Sequence, residues 1–331
     1  MARVLVGVPT LNRPALVRET VRSVQAQRYG DWQAIVSDNL SQVAAITAVR
    51  NFVAGLDDPR IHFCAQPENT GEYGQGRFFF EQAQQLGCDY LVILHDDDLM
   101  DGGFIAAAVA ALDAQPQAAF YVCNPTIIDE HGRESVDGTR QFDERWQRRG
   151  VPEGLIDVLD THMASGFTPI TGAFFRVSAL QHSGFVDADL RGCFPFESNV
   201  FLRLGERGAC AWFDPRRLLQ VRWHSQQMTN WGFLNQEDIV TSTIVLFQRR
   251  RFTGLNEKRR RQLLGRLHRV RALHRARAGD AAATRSEAWQ ALKTNPVSWR
   301  SWLLGPLALL LPMALGAGVR RWFGPSTFSA A

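Results

Sequence analysis

Three consecutive carboxylates, Asp96, Asp97 and Asp98, follow His95 at the end of the apolar run YLVIL, residues 90–94. Adjacent anions repel one another, so such a cluster needs a positive partner nearby or full solvation. Polar residues gather at three comparable points earlier in the chain. Pro9, Thr10, Asn12 and Arg13 follow RVLVGV; Ser37, Asp38 and Asn39 close WQAIVSDN; and the loop NTGEYG, residues 69–74, contains Asn69 and Gly71. For any one of these loops, turn formation or helix capping is a sufficient explanation, because Asn, Asp and Gly are the usual residues for both. Four such loops at the ends of four successive apolar runs point instead to a shared binding edge.

The elements that carry these loops follow from periodicity. Residues 3–9, 32–38, 61–66 and 90–94 are short apolar runs that read as strands, and residues 15–27, 76–87 and 103–114 read as helices. Strands that are apolar without alternation, separated by helices, imply an α/β fold with a mostly parallel sheet flanked by helices. In such sheets ligands bind beyond the carboxyl ends of the strands, which is where the four polar loops stand. The stretch 123–150 is polar and reads as irregular, a candidate for the side of the site facing a second substrate.

Composition narrows the class. The 331 residues are 45% hydrophobic, enough for a sizeable core. Five widely spaced cysteines include no C-x-x-C pair, so neither a zinc site nor a disulfide framework is indicated and a reducing compartment fits. The first residues lack the pattern of a secretory signal. Charge is segregated: residues 1–248 carry 20 Lys and Arg against 30 Asp and Glu, and residues 249–331 carry 17 against 3. The basic part has no interleaved aromatics and no known nucleic-acid module, so no nucleic-acid partner is expected. It leads into residues 302–319, which contain no charge and are bracketed by Arg300, Arg320 and Arg321. That pattern suits a membrane surface, although Pro306 and Pro312 argue against a clean spanning helix. An apolar tail packed against a basic helical hairpin is the alternative.

The segment VGVPTLNRPALVRETVRSVQAQRYGDWQAIVSDNLS, then NTG, then YLVILHDDDLM, resembles the family-2 glycosyltransferases. Similar pieces continue through TGAFFRVSALQHSGFVDADLRG, FESNVFLRLGERG and QVRWHSQQMT, so the resemblance covers roughly residues 3 to 230. It implies a GT-A (Rossmann-like) fold that binds a nucleotide sugar and inverts the anomeric centre. By this resemblance Asp38 holds the nucleotide base, with Pro9, Thr10, Asn12, Arg13, Asn39, Asn69 and Gly71 lining the pocket. The aspartates match the D-x-D region, with Asp96 toward the ribose and Asp97 and Asp98 on a cation, the register being open by one residue. Hard oxygen ligands suit Mg2+ or Mn2+ as the cofactor. The family's acidic base falls on Glu197, six residues before Arg203, where the family often has Glu-Asp and this chain has Phe196-Glu197. Asp187 and Asp189, in GFVDADL, read as turn residues. In the R-x-H pattern, His224 matches a metal or diphosphate ligand and Arg222 a compensator of phosphate charge.

The expected organisation is a glycosyltransferase domain over residues 1–230, a basic helical hairpin extension over 231–297, and an apolar, membrane-associating tail over 298–331. Within the hairpin, a Gly279-Asp280 turn separates two helices and Asn295-Pro296 closes the second. The expected activity is transfer of a sugar from a UDP- or dTDP-sugar donor to a glycan or lipid-linked acceptor, in cell-surface polysaccharide or glycolipid synthesis. The expected location is cytoplasmic, peripheral on the inner face of the membrane. Two alternatives stand beside it: a nucleotidyltransferase on a similar sheet, and a non-catalytic nucleotide-sugar-binding scaffold. The first expects a glycine-rich loop after strand one, and PTLNRPA contains no glycine.

Overall fold

The computed structural model describes residues 2–166, 170–189, 193–224 and 236–298. The chain forms two compact units, Met1–His224 and Ser225–Ala331. In the first unit, β1 (Val4–Thr10), α1 (Pro14–Gln25), β2 (Trp32–Asp38), α2 (Val43–Ala54), β3 (Ile61–Ala65), α3 (Gly71–Gln85) and β4 (Tyr90–Ile93) alternate as the sequence pattern requires. All four strands are parallel neighbours, in the order β3-β2-β1-β4. The residues of β1, β2 and β4 alternate between two layers. Val4, Val6 and Val8 face the layer containing Val17, Val21 and Val24 of α1, whereas Leu5 faces the layer of Phe79 and Ala83 of α3. Each such aliphatic side chain taken from water contributes roughly 2 kcal/mol, so a strand buried on both faces has no polar face to spare.

Beyond β4 the sheet changes character. The short β5 (Leu99–Met100), α4 (Phe104–Ala114), β6 (Ala118–Ile128), α5 (Val136–Arg145), β7 (Gly154–Asp157), α6 (Val158–Ser165), β8 (Phe174–Arg176), α7 (Val177–Ser183), α8 (Cys193–Glu206) and β9 (Cys210–Arg222) complete the unit. β8 lies antiparallel between β4 and β6, β6 is parallel to β9, and β5 and β7 are antiparallel to β9. The sheet is therefore parallel in its first half and mixed in its second. The stretch 123–150, read from sequence as irregular, is largely ordered. Residues 123–128 belong to β6, and α5 follows, its Ser135 hydroxyl accepting from the Gly138 backbone N–H at 3.1 Å. Its polar strand residues fit because the β6–β9 register shifts around Asn124 and Pro125, where proline's missing donor is tolerated and the Asn124 amide donates to the Pro215 carbonyl at 3.0 Å.

The second unit contains α9 (Glu237–Gln248), α10 (Gly254–Arg277) and α11 (Ala281–Thr294). The turn between α10 and α11 falls at Gly279 and Asp280, and Asp280 caps α11 by accepting from the Ala283 N–H at 2.9 Å. α10 and α11 pack closely: a Cβ on Gly265 would lie 2.7 Å from that of Asn295. Among the described residues no helix is long and apolar enough to cross a membrane, and the apolar tail expected from 298 onward lies, after its first residue, outside them.

Candidate functional site

The carboxyl ends of β1, β2 and β4 meet at one edge. Thr10 pairs in register with Asp38, and its hydroxyl donates to Asp96 Oδ2 at 2.8 Å, so one residue links the β2 end to the aspartate cluster. Asp38 is buried and accepts from the Ser41 N–H through Oδ1 at 2.7 Å. Asn12 has φ 57° and clamps the same two loops: its N–H donates to the Ser41 hydroxyl, and its side-chain oxygen accepts from the Gln42 N–H. Asn39 continues the chain of contacts, donating to Asn69 at 2.9 Å and accepting from the Thr70 N–H and from Gln75. Gly71, at φ +62°, takes a left-handed conformation that lets the backbone turn directly into α3. Pro9 stands beside Ser37 in the β1–β2 ladder.

All three aspartates are buried. Arg13 supplies the cation nearest to two of them, at 3.1 Å from Asp96 and 3.0 Å from Asp97. His224 Nε2 lies 3.0 Å from Asp97 Oδ2. Asp98 is held at both oxygens, by the Arg222 N–H at 2.9 Å and the Thr171 hydroxyl at 2.8 Å. The cluster is nonetheless short of positive charge. Burial and the neighbouring Asp97 push the Asp98 carboxyl up to about 7, and the same two causes raise Asp96.

The segment 95–98 folds as a tight turn, the Asp98 N–H donating to the His95 carbonyl, and this brings His95 back over Asp98. Ligand atoms of His95, Asp97 and Asp98 all lie within 4.8 Å of one another. Two carboxylates and an imidazole at that spacing fit a hard divalent cation, which would also supply the charge the cluster lacks. Asp96 is instead tied to Thr10 and Arg13. His95 was not singled out from sequence as a ligand; its spacing from Asp97 and Asp98, within one turn, was the available signal.

Glu197 lies one turn inside α8, beyond the capping positions, and is half-buried. Burial raises its carboxyl above the ordinary range, against the opposing effects of His95 and the Ile170 backbone N–H. His95 responds in kind: burial works against its charge, but Asp98, Glu72, Glu197 and Asp97 outweigh that and hold its imidazole above the usual value. Glu197 is thus electrostatically joined to the cation cluster. The Asp187 carboxylate lies 2.5 Å from the Arg203 guanidinium, a brace between the turn after α7 and α8.

Arg222 has a structural place that the sequence did not show. It is buried, and its guanidinium donates to the carbonyls of Asp97, Asp129 and Glu130 and to the Glu19 carboxylate at 2.7 Å. It staples the aspartate turn to α1 and to the β6–α5 loop. A cavity of about 780 Å³ lined by Cys88, Asp89, Tyr90 and Arg176 lies at the amino end of β4, the opposite edge of the sheet.

An open α/β sheet with buried acids at the carboxyl ends of its parallel strands has the arrangement in which such sheets bind ligands. The model of glycosyl transferase family 2 matches residues 5–182, more than half of the chain, and the chain belongs to that family. Among curated proteins it is 32% identical over 138 residues to the GalNAc(5)-diNAcBac-PP-undecaprenol beta-1,3-glucosyltransferase of Campylobacter jejuni, the match covering 41% of this chain and 42% of that one. The chain spans less than half the length of the curated relatives it matches. Among solved structures, S. aureus TarS 1-349 in complex with UDP-GlcNAc has a TM-score of 0.64 at 12% identity, covering 97% of this chain and 91% of that one. The mannosyltransferase PcManGT of Pyrobaculum calidifontis, in complex with GDP-Man and Mn2+, has a TM-score of 0.54 at 17% identity, covering 99% and 84%. These likenesses carry the fold.

Proposed function

We propose that the chain is an inverting, cation-dependent glycosyltransferase that moves a sugar from a UDP- or dTDP-sugar to a hydroxyl of a glycan or lipid-linked acceptor. The observation that carries this reading is the convergence of Asp38, the 95–98 turn and Glu197 at one sheet edge. Asp38 Oδ2, which accepts no hydrogen bond among the described residues, is available to the N3–H of a pyrimidine. His95, Asp97 and Asp98 would hold Mg2+ or Mn2+, with His224 beside Asp97. When bound, the cation neutralises the diphosphate leaving group. Asp96, fixed by Thr10 and Arg13, faces the ribose. Glu197 takes the proton of the acceptor hydroxyl as its oxygen bonds to the anomeric carbon; the bond from that carbon to the phosphate oxygen breaks, and its electron pair leaves with the nucleoside diphosphate. The raised Glu197 carboxyl is suited to accepting that proton.

The C. jejuni relative is named for a polyprenyl-diphosphate-linked acceptor, which supports the same acceptor class and a role in cell-surface polysaccharide or glycolipid synthesis here. Peripheral association with the cytoplasmic face of the membrane, through the tail from 298 onward, follows from that acceptor and from the uncharged segment 302–319. Calorimetry with UDP and Mn2+ tests the donor site. Binding is expected to require the metal and to vanish in Asp97→Ala and Asp98→Ala, and unchanged binding in both removes the site. Glu197→Gln is expected to keep donor binding and lose transfer by about 100-fold or more, as loss of a general base does.

A further inference from the structure

We propose that the outward face of α11 is a docking surface for an anionic phospholipid bilayer, with Trp289 seated at the interface and Arg285 and Lys293 on the headgroups. The proposal deepens the membrane part of the proposed function and rests on it for the compartment; the sugar-transfer reading does not enter it. α11 has two unlike faces. Thr284, Ala288 and Ala291 are buried, which fixes the inner face at helical spacing. On the outer face Arg285, Trp289 and Lys293 follow one another at four-residue intervals, all exposed.

Trp289 is 65% exposed, a large apolar ring left in water, and Val297 just beyond the helix is 91% exposed. Neither Arg285 nor Lys293 has an ion-pair partner among the described residues. The single acid within α11, Glu287, is turned inward, where it pairs with His268 at 2.8 Å and Arg271 at 2.6 Å. The fold thus removes the helix's negative charge from the face that carries its cations. An indole between two cations suits the boundary of a bilayer, where the ring lies among headgroups and the charges meet phosphates. Charge complementarity selects an anionic surface over a neutral one. The chain also continues from this face toward Arg300 and the uncharged segment 302–319, so the surface is continuous in sequence with the most membrane-like part of the chain.

The test uses the full chain and co-sedimentation with vesicles of phosphatidylcholine alone or with about one-third phosphatidylglycerol. Wild type is expected to bind the anionic vesicles more tightly, with affinity falling as salt rises. The double variant R285E/K293E is expected to lose at least ~10-fold in that affinity, since each cation near such a surface contributes appreciably. Trp289→Ala is expected to bind both vesicle types more weakly while keeping the salt dependence. All variants should keep the wild-type circular dichroism and thermal unfolding midpoint, which report that the fold is intact. Binding of both variants equal to wild type overturns the proposal, as does equal wild-type binding to neutral and anionic vesicles. Self-association that Trp289→Ala abolishes, with vesicle binding unchanged, overturns it in favour of a second copy of the chain. Deleting residues 299–331 separates the two readings: binding lost there but kept in both α11 variants overturns the docking surface and leaves the tail standing.

Discussion

Asp98 is fixed at one oxygen by the Arg222 N–H and at the other by Thr171. Its neighbours divide between two tasks, Asp96 turned to Thr10 and Arg13 and Asp97 shared among Arg13 and His224. Because burial raises the Glu197 carboxyl, its basic form is lost on acidification at a higher pH than for a free glutamate. The kcat/KM profile should therefore rise with pH through a limb lying above the ordinary carboxylate value of about 4.3, and a limb at or below that value would identify another base. Arg222 acts at the same scale as a brace. Replacing it with Met should destabilise the unit by on the order of 3 kcal/mol in denaturant unfolding, because Glu19 and three carbonyls lose their donor. Sequence disclosed the charge of Arg222 but not its burial, and so suggested a phosphate partner. The position of Asp38 at a strand end was legible for the opposite reason: it follows the apolar stretch Ala34–Val36, and the strand ends there too.

At the scale of elements, the placement of Glu197 depends on how α8 meets α3. Gly76 of α3 lies against Phe196, the residue before Glu197, so closely that a Cβ there would stand 2.1 Å from the ring. Gly76→Ala should push the start of α8 outward, at a cost of about 1–3 kcal/mol in stability, and lower kcat with little change in UDP affinity. Adding Phe196→Leu should recover part of both losses; a Gly76→Ala protein with wild-type kcat would mean that Glu197 does not depend on this contact. The parallel half of the sheet was readable because its central strands, β1 and β4, are buried on both faces and run apolar without alternation up to the loop. β6 and the contact between α3 and α8 were not. In β6 the polar segment CNPT is accommodated by a register shift against β9, a partner far away in sequence. Gly76 carries no local turn signal, since its reason is a ring brought up from 120 residues further along.

For the whole molecule, the segregation of charge has a mechanical consequence. The acidic part ends near the first unit's boundary at His224, and the second unit holds nearly all of the excess positive charge. With charge divided in this way, the second unit would be drawn to an anionic surface and the first repelled from it. Removing residues 299–331 takes away the uncharged segment together with Arg300, Arg320 and Arg321. The shortened chain should move from the membrane to the supernatant fraction, and what binding remains should be more sensitive to salt, because the apolar contribution has gone and the cations of α10 and α11 are left. Fractionation at low and at roughly 0.5 M salt, where the Debye length shrinks to a few ångströms, separates the two contributions. A shortened chain that sediments with membranes at both salt concentrations would refute the tail as an anchor. Its UDP and Mn2+ binding should equal that of the full chain, since every residue of the donor site lies before 225.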